Sequence, residues 1–294
     1  MIVNKPELQK KASILVEALP FIKKYSGEIF VIKFGGNAMV DDQLAQQFAK
    51  DVVLMKRVGI NPVIIHGGGP QIGSMLKRLN IESEFIDGLR VTTKETVEIA
   101  EMVLSGNINK SIVAAINAAG GDAIGLSGKD SHLVTAEKLT HQDPSVDLGF
   151  VGQAGSVNPK VLKQCIDANM IPVIAPIASD KKGDTYNINA DTMAGAIAAS
   201  LNARRFLLLT DVAGVLDDQG SLLTDLSADD ISKLTKSGVI KGGMIPKVGT
   251  CLDATNAGVK AAVIIDGRVE HAILLELFTE TGVGTLIRSD VAEI

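Results

Sequence analysis

Three glycine clusters carry the chemistry that is easiest to read from this sequence. They are Val31-Ile32-Lys33-Phe34-Gly35-Gly36-Asn37, Ile64-Ile65-His66-Gly67-Gly68-Gly69-Pro70 and Lys241-Gly242-Gly243-Met244-Ile245-Pro246-Lys247. Consecutive glycines let the backbone come close to a ligand. Their N–H groups, with a helix start behind them, form an anion site. Two of the clusters adjoin a lysine, a compact cation suited to phosphate. That combination serves phosphoryl transfer, where catalysis is mostly positioning and charge stabilisation. A lone Gly-Gly reads as a tight turn and a lone lysine as a solvated charge. Three clusters at strand ends and helix starts, two of them with lysine, read as a site.

Several familiar alternatives are missing. GxxxxGK[ST] is absent, which excludes a P-loop. The run from Gly67 to Gly73 lacks the GxGxxG spacing of dinucleotide folds. The HRD and DFG signatures of protein kinases are absent as well.

The elements that must hold these clusters follow from hydrophobic periodicity. Residues 6–25 place Ile14, Ala18, Phe21 and Ile22 on one helical face. Pro20 is expected to kink or split that helix. It either packs on the body or meets another subunit. Strands are expected at 29–33, 62–65, 122–126, 171–177, 206–210, 261–266 and 285–287. Helices are expected at 41–58, 71–79, 93–119, 159–168, 191–201, 228–237 and 244–257. Residues 143–157 read as strands around turns, a candidate β-hairpin. Strand and helix alternate with short connections, so the fold class is α/β: a mainly parallel sheet with helices on both faces. The weakest point is 177–186, polar and turn-rich, which reads as a junction between lobes or as a simple hairpin.

Bulk properties narrow the function further. The chain has 294 residues and a net charge of −5, which argues against a general binder of nucleic acid or anionic membrane. Aromatic residues make up only 3% and Trp is absent, which argues against base-stacking platforms. Cys165 and Cys251 stand alone, with no zinc spacing or disulfide framework, and read as buried small hydrophobes in a reducing, cytoplasmic setting. Charges at Lys5, Glu7, Lys10, Lys11 and Glu17 interrupt any apolar secretory core. No apolar run approaches the roughly 20 residues of a membrane helix.

The motifs, taken in order, resemble the amino-acid kinase family, and within it the branch that phosphorylates N-acetyl-L-glutamate and is sensitive to arginine. The carriers are VIKFGGNAM at 31–39, HGGGPQIG at 66–73, GLRVT at 88–92, GLSGKD at 125–130, NINAD at 187–191, LTDVAGV at 209–215 and GGMIPK at 242–247. The resemblance implies a three-layer αβα sandwich with an extra N-terminal helix. It divides the chain into a helical extension at 1–27, an acetylglutamate lobe at 28–178, and a lobe for ATP and arginine at 179–294. The activity it implies is ATP-dependent phosphorylation of the γ-carboxylate of N-acetyl-L-glutamate, the second step of arginine biosynthesis. Mg²⁺ accompanies the ATP, with no resident protein metal site.

Carried over residue by residue, the resemblance gives Lys33 and Lys247 the stabilisation of the transition state and Asp191 the orientation of both lysines. Gly36, Gly67, Gly68 and Gly69 become backbone donors to phosphoryl group and substrate. Arg90 becomes the clamp on the substrate α-carboxylate, a bidentate task that guanidinium suits. Asn187 and Asn189 hold the substrate. Taken alone, Asn189-Ala190-Asp191 reads as a helix N-cap, and the two roles are compatible. Thr210, Asp211, Gly214 and Gly243, with Lys247, fall on the ATP side. No general base is required, since the attacking carboxylate is already ionised near pH 7. His66 is expected to orient the glycine turn.

Within the family, the lack of a domain after residue 294 opposes aspartate kinase, and GLRVT and NINAD oppose glutamate 5-kinase. The reading from another class is a non-catalytic arginine sensor on the same scaffold. Lys33, Asp191 and Lys247 together oppose it. The N-terminal helix and the tail GRVEHAILLELFTETGVGT at 267–285 resemble the arginine-inhibited kind, a hexamer built as a trimer of dimers. His271, Glu280, Gly282 and Gly284 are the candidates for binding L-arginine, with Glu280 facing the guanidinium. Some photosynthetic relatives bind a PII-type signalling protein, a partner to which no residue here points.

Overall fold

The computed structural model describes residues 5–39 and 41–288. The ends of the expected segments 1–27 and 179–294, and Val40 beside the first glycine cluster, lie outside the described residues. One eight-stranded sheet forms the centre. Its order is Asp225–Leu226, Thr285–Ile287, Ala262–Asp266, Arg205–Thr210, Ile29–Phe34, Asn61–His66, Ile171–Ala175, Ala123–Ser127. All neighbours pair in parallel except Ala262–Asp266 with Thr285–Ile287, which are antiparallel. A parallel sheet buried on both faces needs continuous apolar strands, and Phe30 to Phe34, Pro62 to His66 and Phe206 to Thr210 are all buried.

Side-chain alternation along Ile29–Phe34 separates two cores. Phe30, Ile32 and Phe34 face one way, into a cluster with Phe48, Ile64, Leu104 and Ile116. Phe34 stacks on Phe48 with ring centroids 3.8 Å apart. Val31 faces the other way, into a cluster with Val63, Phe206, Leu208, Ala194 and Ile197. The three-layer α/β architecture expected from the sequence is the one observed. The alternation also fixes the chemistry: Lys33 shares the face of Val31, so it points toward helix Ala190–Ser200, which lies across this strand.

The helices begin and end where local chemistry dictates. Asp41 caps Asp42–Arg57 by accepting from Gln43 N and Leu44 N. Asn189 caps Ala190–Ser200 through Asp191 N and Thr192 N. Such a cap contributes about 1 kcal/mol. The N-terminal helix splits into Lys5–Glu17 and Leu19–Tyr25, with Pro20 in the first turn of the second piece. The second piece packs on helix Ala272–Phe278. The first leaves Leu8, Ile14, Leu15 and Val16 exposed.

Three features differ from the sequence reading. The hairpin expected inside 143–157 forms instead between Val134–Lys138 and Val151–Val157. The strand expected at 171–177 breaks at Pro176 into Ile171–Ala175 and Ile177–Ser179. Ile177–Ser179 and Thr185–Ile188 make the simple hairpin, and all four strands close into a small separate barrel. The helix expected at 93–119 contains a π-helical stretch, Met102–Ile108.

Candidate active site

The ends of two adjacent central strands open into glycine turns. Gly67 N donates to Phe34 O at 2.8 Å, which joins the turn after Ile29–Phe34 to the turn after Asn61–His66. A cavity of about 300 Å³ lies over them. It is lined by Lys33, Gly36, the Gly67-Gly68-Gly69 turn, Arg90, Asn187, Asn189 and Asp191. Every residue expected to bind the substrate therefore borders one space. That space lies at the carboxyl ends of the strands, where open α/β sheets bind ligands.

Asp191 organises the cations. Its Oδ1 lies 3.1 Å from Lys33 Nζ and its Oδ2 lies 2.9 Å from Lys247 Nζ. Burial alone would raise the Asp191 carboxyl, but the two ammonium groups reverse this and hold it below the usual carboxylate range. Its place in the first turn of a helix adds to the preference for negative charge. Lys247 arrives from the first turn of Met244–Asn256, just after Gly243. Gly35 leaves the room in which Lys33 folds back, since a Cβ there would stand 2.5 Å from Lys33 Nζ.

Arg90 sits on a miniature hairpin, Phe85–Ile86 against Leu89–Arg90. Asp87 and Gly88 both have positive φ, 49° and 79°, as a two-residue primed turn requires. The guanidinium lies 4.5 Å from the Phe85 ring centroid. It donates to Ser83 Oγ and, at 3.1 Å, to Gly69 O. Arg90 is thus tied directly to the glycine turn. Asn189 spends its side-chain oxygen on the helix cap. Its NH2 is what it can offer a ligand.

Of the candidates on the ATP side, Asp211 reaches the first glycine turn. Thr210 ends the strand beside Ile29–Phe34. A Cβ at Gly36 would stand 2.5 Å from Asp211 Oδ1, so that carboxylate closes on the first glycine turn. Gly214 has φ 148° and packs against Thr285, whose Oγ1 accepts from Val215 N.

The chain matches the amino acid kinase family over residues 28–266. Acetylglutamate kinase from Rhodospirillum centenum is 60% identical over 292 residues, 97% of this chain and 96% of the relative. The enzyme of the same name from Erythrobacter litoralis is 60% identical over 98% of both chains. The chain belongs to the amino acid kinase family. Two solved structures of N-acetylglutamate synthase from Neisseria gonorrhoeae superpose with TM-scores of 0.84 and 0.81, at 24% and 23% identity. They match 95% and 94% of this chain but only 64% and 65% of that longer protein. One holds coenzyme A and N-acetyl-glutamate, the other coenzyme A and L-arginine. At that identity the likeness is one of fold.

A second region of this kinase holds the residues expected for arginine. His271 has φ 58° and precedes helix Ala272–Phe278. Its Nδ1 lies 2.6 Å from Oδ1 of buried Asp51. Glu280 is exposed, two residues past the helix. The carboxylate beside Gly282 and Gly284 is instead Glu276, whose Oε2 accepts from Val283 N at 2.8 Å and Gly284 N at 3.2 Å. Burial raises the Glu276 carboxyl above its ordinary range.

Sequence reasoning passed over Phe85 and Ser83, which hold Arg90, and Asn109, which lies behind His66. The Asp87-Gly88 pair was a signal for the hairpin. Asn109 stands on the face of Ile112 and Ile116, where a polar residue in an apolar row marks a buried hydrogen-bond role. Among the described residues, no helix is long and apolar enough to span a membrane, and no three His, Cys, Asp or Glu gather as they would for a metal.

Proposed function

We propose that this kinase transfers the γ-phosphoryl group of ATP to the γ-carboxylate of N-acetyl-L-glutamate, the second step of arginine biosynthesis. The observation that carries this reading is the Asp191 carboxylate holding Lys33 and Lys247, one on each oxygen, at the edge of the glycine-lined cavity. Arg90 clamps the α-carboxylate, with Asn187 and Asn189 on the rest of the amino acid. The ionised γ-carboxylate attacks the phosphorus directly. Lys33, Lys247 and the glycine N–H groups stabilise charge on the transferring group and the departing ADP. Thr210, Asp211, Gly214, Gly243 and Lys247 serve the nucleotide. Mg²⁺ comes with its phosphates, since that ion favours phosphate oxygens over an all-protein cage.

Strands from residues 28–178 and from 179–294 occupy opposite halves of the main sheet, meeting where Ile29–Phe34 pairs with Arg205–Thr210. That arrangement supports an amino-acid lobe and a nucleotide lobe, although the small barrel takes strands from both sides of residue 178. The exposed apolar side chains on Lys5–Glu17 support a homo-oligomer, a hexamer by family resemblance, working in the cytoplasm. Inhibition by L-arginine at His271, Glu280, Gly282 and Gly284 completes the proposal. Trapping the acyl phosphate with hydroxylamine, in the presence of ATP and acetylglutamate, tests the reaction. Turnover is expected, and its absence defeats the reading.

A further inference from the structure

The glycine turn is held from behind by a buried amide. Asn109 is fully buried and follows directly on the π-helical stretch Met102–Ile108. Its Nδ2 donates to Val173 O at 2.9 Å and faces Leu126 O at 3.3 Å and His66 Nε2 at 3.4 Å. Its Oδ1 accepts from Lys110 Nζ at 3.1 Å. Acceptors on one side and an ammonium on the other leave one orientation for this amide. A proton on His66 Nε2 would then oppose donor to donor. Nε2 must present its lone pair, so the proton of the neutral ring sits on Nδ1, which donates to Gly67 O at 2.8 Å.

The planar trans peptide transmits that bond. Gly67 C=O and Gly68 N–H belong to one peptide unit and point in opposite directions. A carbonyl drawn toward buried His66 turns the Gly68 N–H toward the cavity that Gly68 lines. The surroundings are built for this arrangement. A Cβ at Gly125 would collide with Asn109 Oδ1, and one at Gly68 would stand 2.5 Å from Leu104 Cδ2 in the π-helical stretch. A π turn admits one extra residue relative to the α repeat, which resets the face on which the next side chains emerge.

We propose that Asn109 is a positioning residue: it keeps the His66 proton on Nδ1, which clamps the Gly67–Gly68 peptide with its N–H toward the transferring phosphoryl group. This rests on the reading of the glycine turn given above. Burial pushes the His66 ring down to about 4, with the Lys110 charge acting in the same sense, so the ring stays neutral under working conditions.

The test is solid-state NMR of the full chain labelled with ¹⁵N-histidine, alongside steady-state kinetics. The chain has four histidines; the His66 signal is the one lost in His66→Gln. At pH 7 His66 is expected to show Nδ1–H and an unprotonated Nε2, unchanged down to about pH 5. Asn109→Asp places an acceptor where a donor stood. It should draw the ring proton from Nδ1 to Nε2, exchange the two ¹⁵N signals, release the Gly67 carbonyl and lower kcat by about 10- to 100-fold, with KM changed less than about 3-fold. A wild-type His66 carrying Nε2–H overturns the proposal, and does so even if the variant fails to fold. Exchanged Nδ1 and Nε2 signals with unchanged kcat overturn it too. Wild-type protein without turnover would defeat the functional reading, and the two NMR readouts would still decide whether Asn109 sets the tautomer.

Discussion

The cavity over the glycine turns and the C-terminal segment around His271 both gather charged side chains and glycines, yet they are built differently. In the cavity, Lys33, Asp191 and Lys247 stand on a strand and on the first turns of two helices, all anchored in the main sheet or packed on it. Their charges converge within 3.1 Å. Around His271 the charges are turned inward or left alone. His271 is tied to Asp51, Glu276 is spent on two backbone N–H groups, and Glu280 is exposed on a bend. The first region turns its charges toward an open cavity, while the second ties His271 and Glu276 to its own surroundings and leaves Glu280 outward. Positioned charge is worth far more when the scaffold fixes it before the ligand arrives.

The comparison breaks first at Asp191. Asp191→Ala should lower kcat by about 10²- to 10³-fold in the hydroxamate assay, because both lysines lose their orientation. A loss under 10-fold would put the two regions on a par. The buried His66 gives the next effect. Its folded value, about 4, lies below the ordinary 6.5. Between those values the unfolded chain binds the proton and the folded chain does not. Stability is therefore complete above about pH 6.5 and declines as pH falls toward 4, by about 3 kcal/mol for this group. Urea unfolding at pH 7 and pH 4.5 should show the decline, and His66→Asn should lessen it.

Arg90→Ala should raise the KM for acetylglutamate by about 10- to 100-fold and leave kcat nearly unchanged, as expected for a clamp on the bound substrate. A fall confined to kcat would move Arg90 into the chemistry. In the second region, Glu276→Ala should lower stability by about 1–3 kcal/mol by orphaning the Val283 and Gly284 N–H groups, with kcat within about 2-fold. Thermal unfolding and the same assay separate the two effects. Glu280→Ala should change stability by less than about 0.5 kcal/mol. If the arginine reading holds, it should also weaken inhibition by about 10-fold or more. Unaltered inhibition would remove Glu280 from that site.

Most of the central sheet was legible, because strands buried on both faces read as short apolar runs closed by glycine, as in Ile29–Phe34 and Asn61–His66. The small barrel was not. Val134–Lys138 alternates weakly and finds its partner 13 residues on, and the turn residues of that long loop lie nearer the second strand, which drew the expected hairpin too far along the chain. The two-residue strands around Asp87-Gly88 are too short for any periodicity to register. The π turn was hidden because one inserted residue does not disturb an i, i+4 apolar pattern enough to see. At the site, glycines and lysines were visible as types, and Lys33 was placed at the end of a strand. That Asp191 would take one lysine on each oxygen followed only from the family motif. Glu276 was missed since a carboxylate that binds its own loop has the same sequence signature as one that awaits a ligand.

The central claim is that Lys33 and Lys247 stabilise the transferring charge more than they hold the substrates in the ground state. The most direct measurement is the kcat and KM of Lys33→Ala and Lys247→Ala for acetylglutamate and ATP, followed by hydroxamate formation. Each variant is expected to lose about 10²-fold or more in kcat, with both KM values changed only a few-fold. Wild-type kcat in either variant, or a defect confined to KM, would contradict the account.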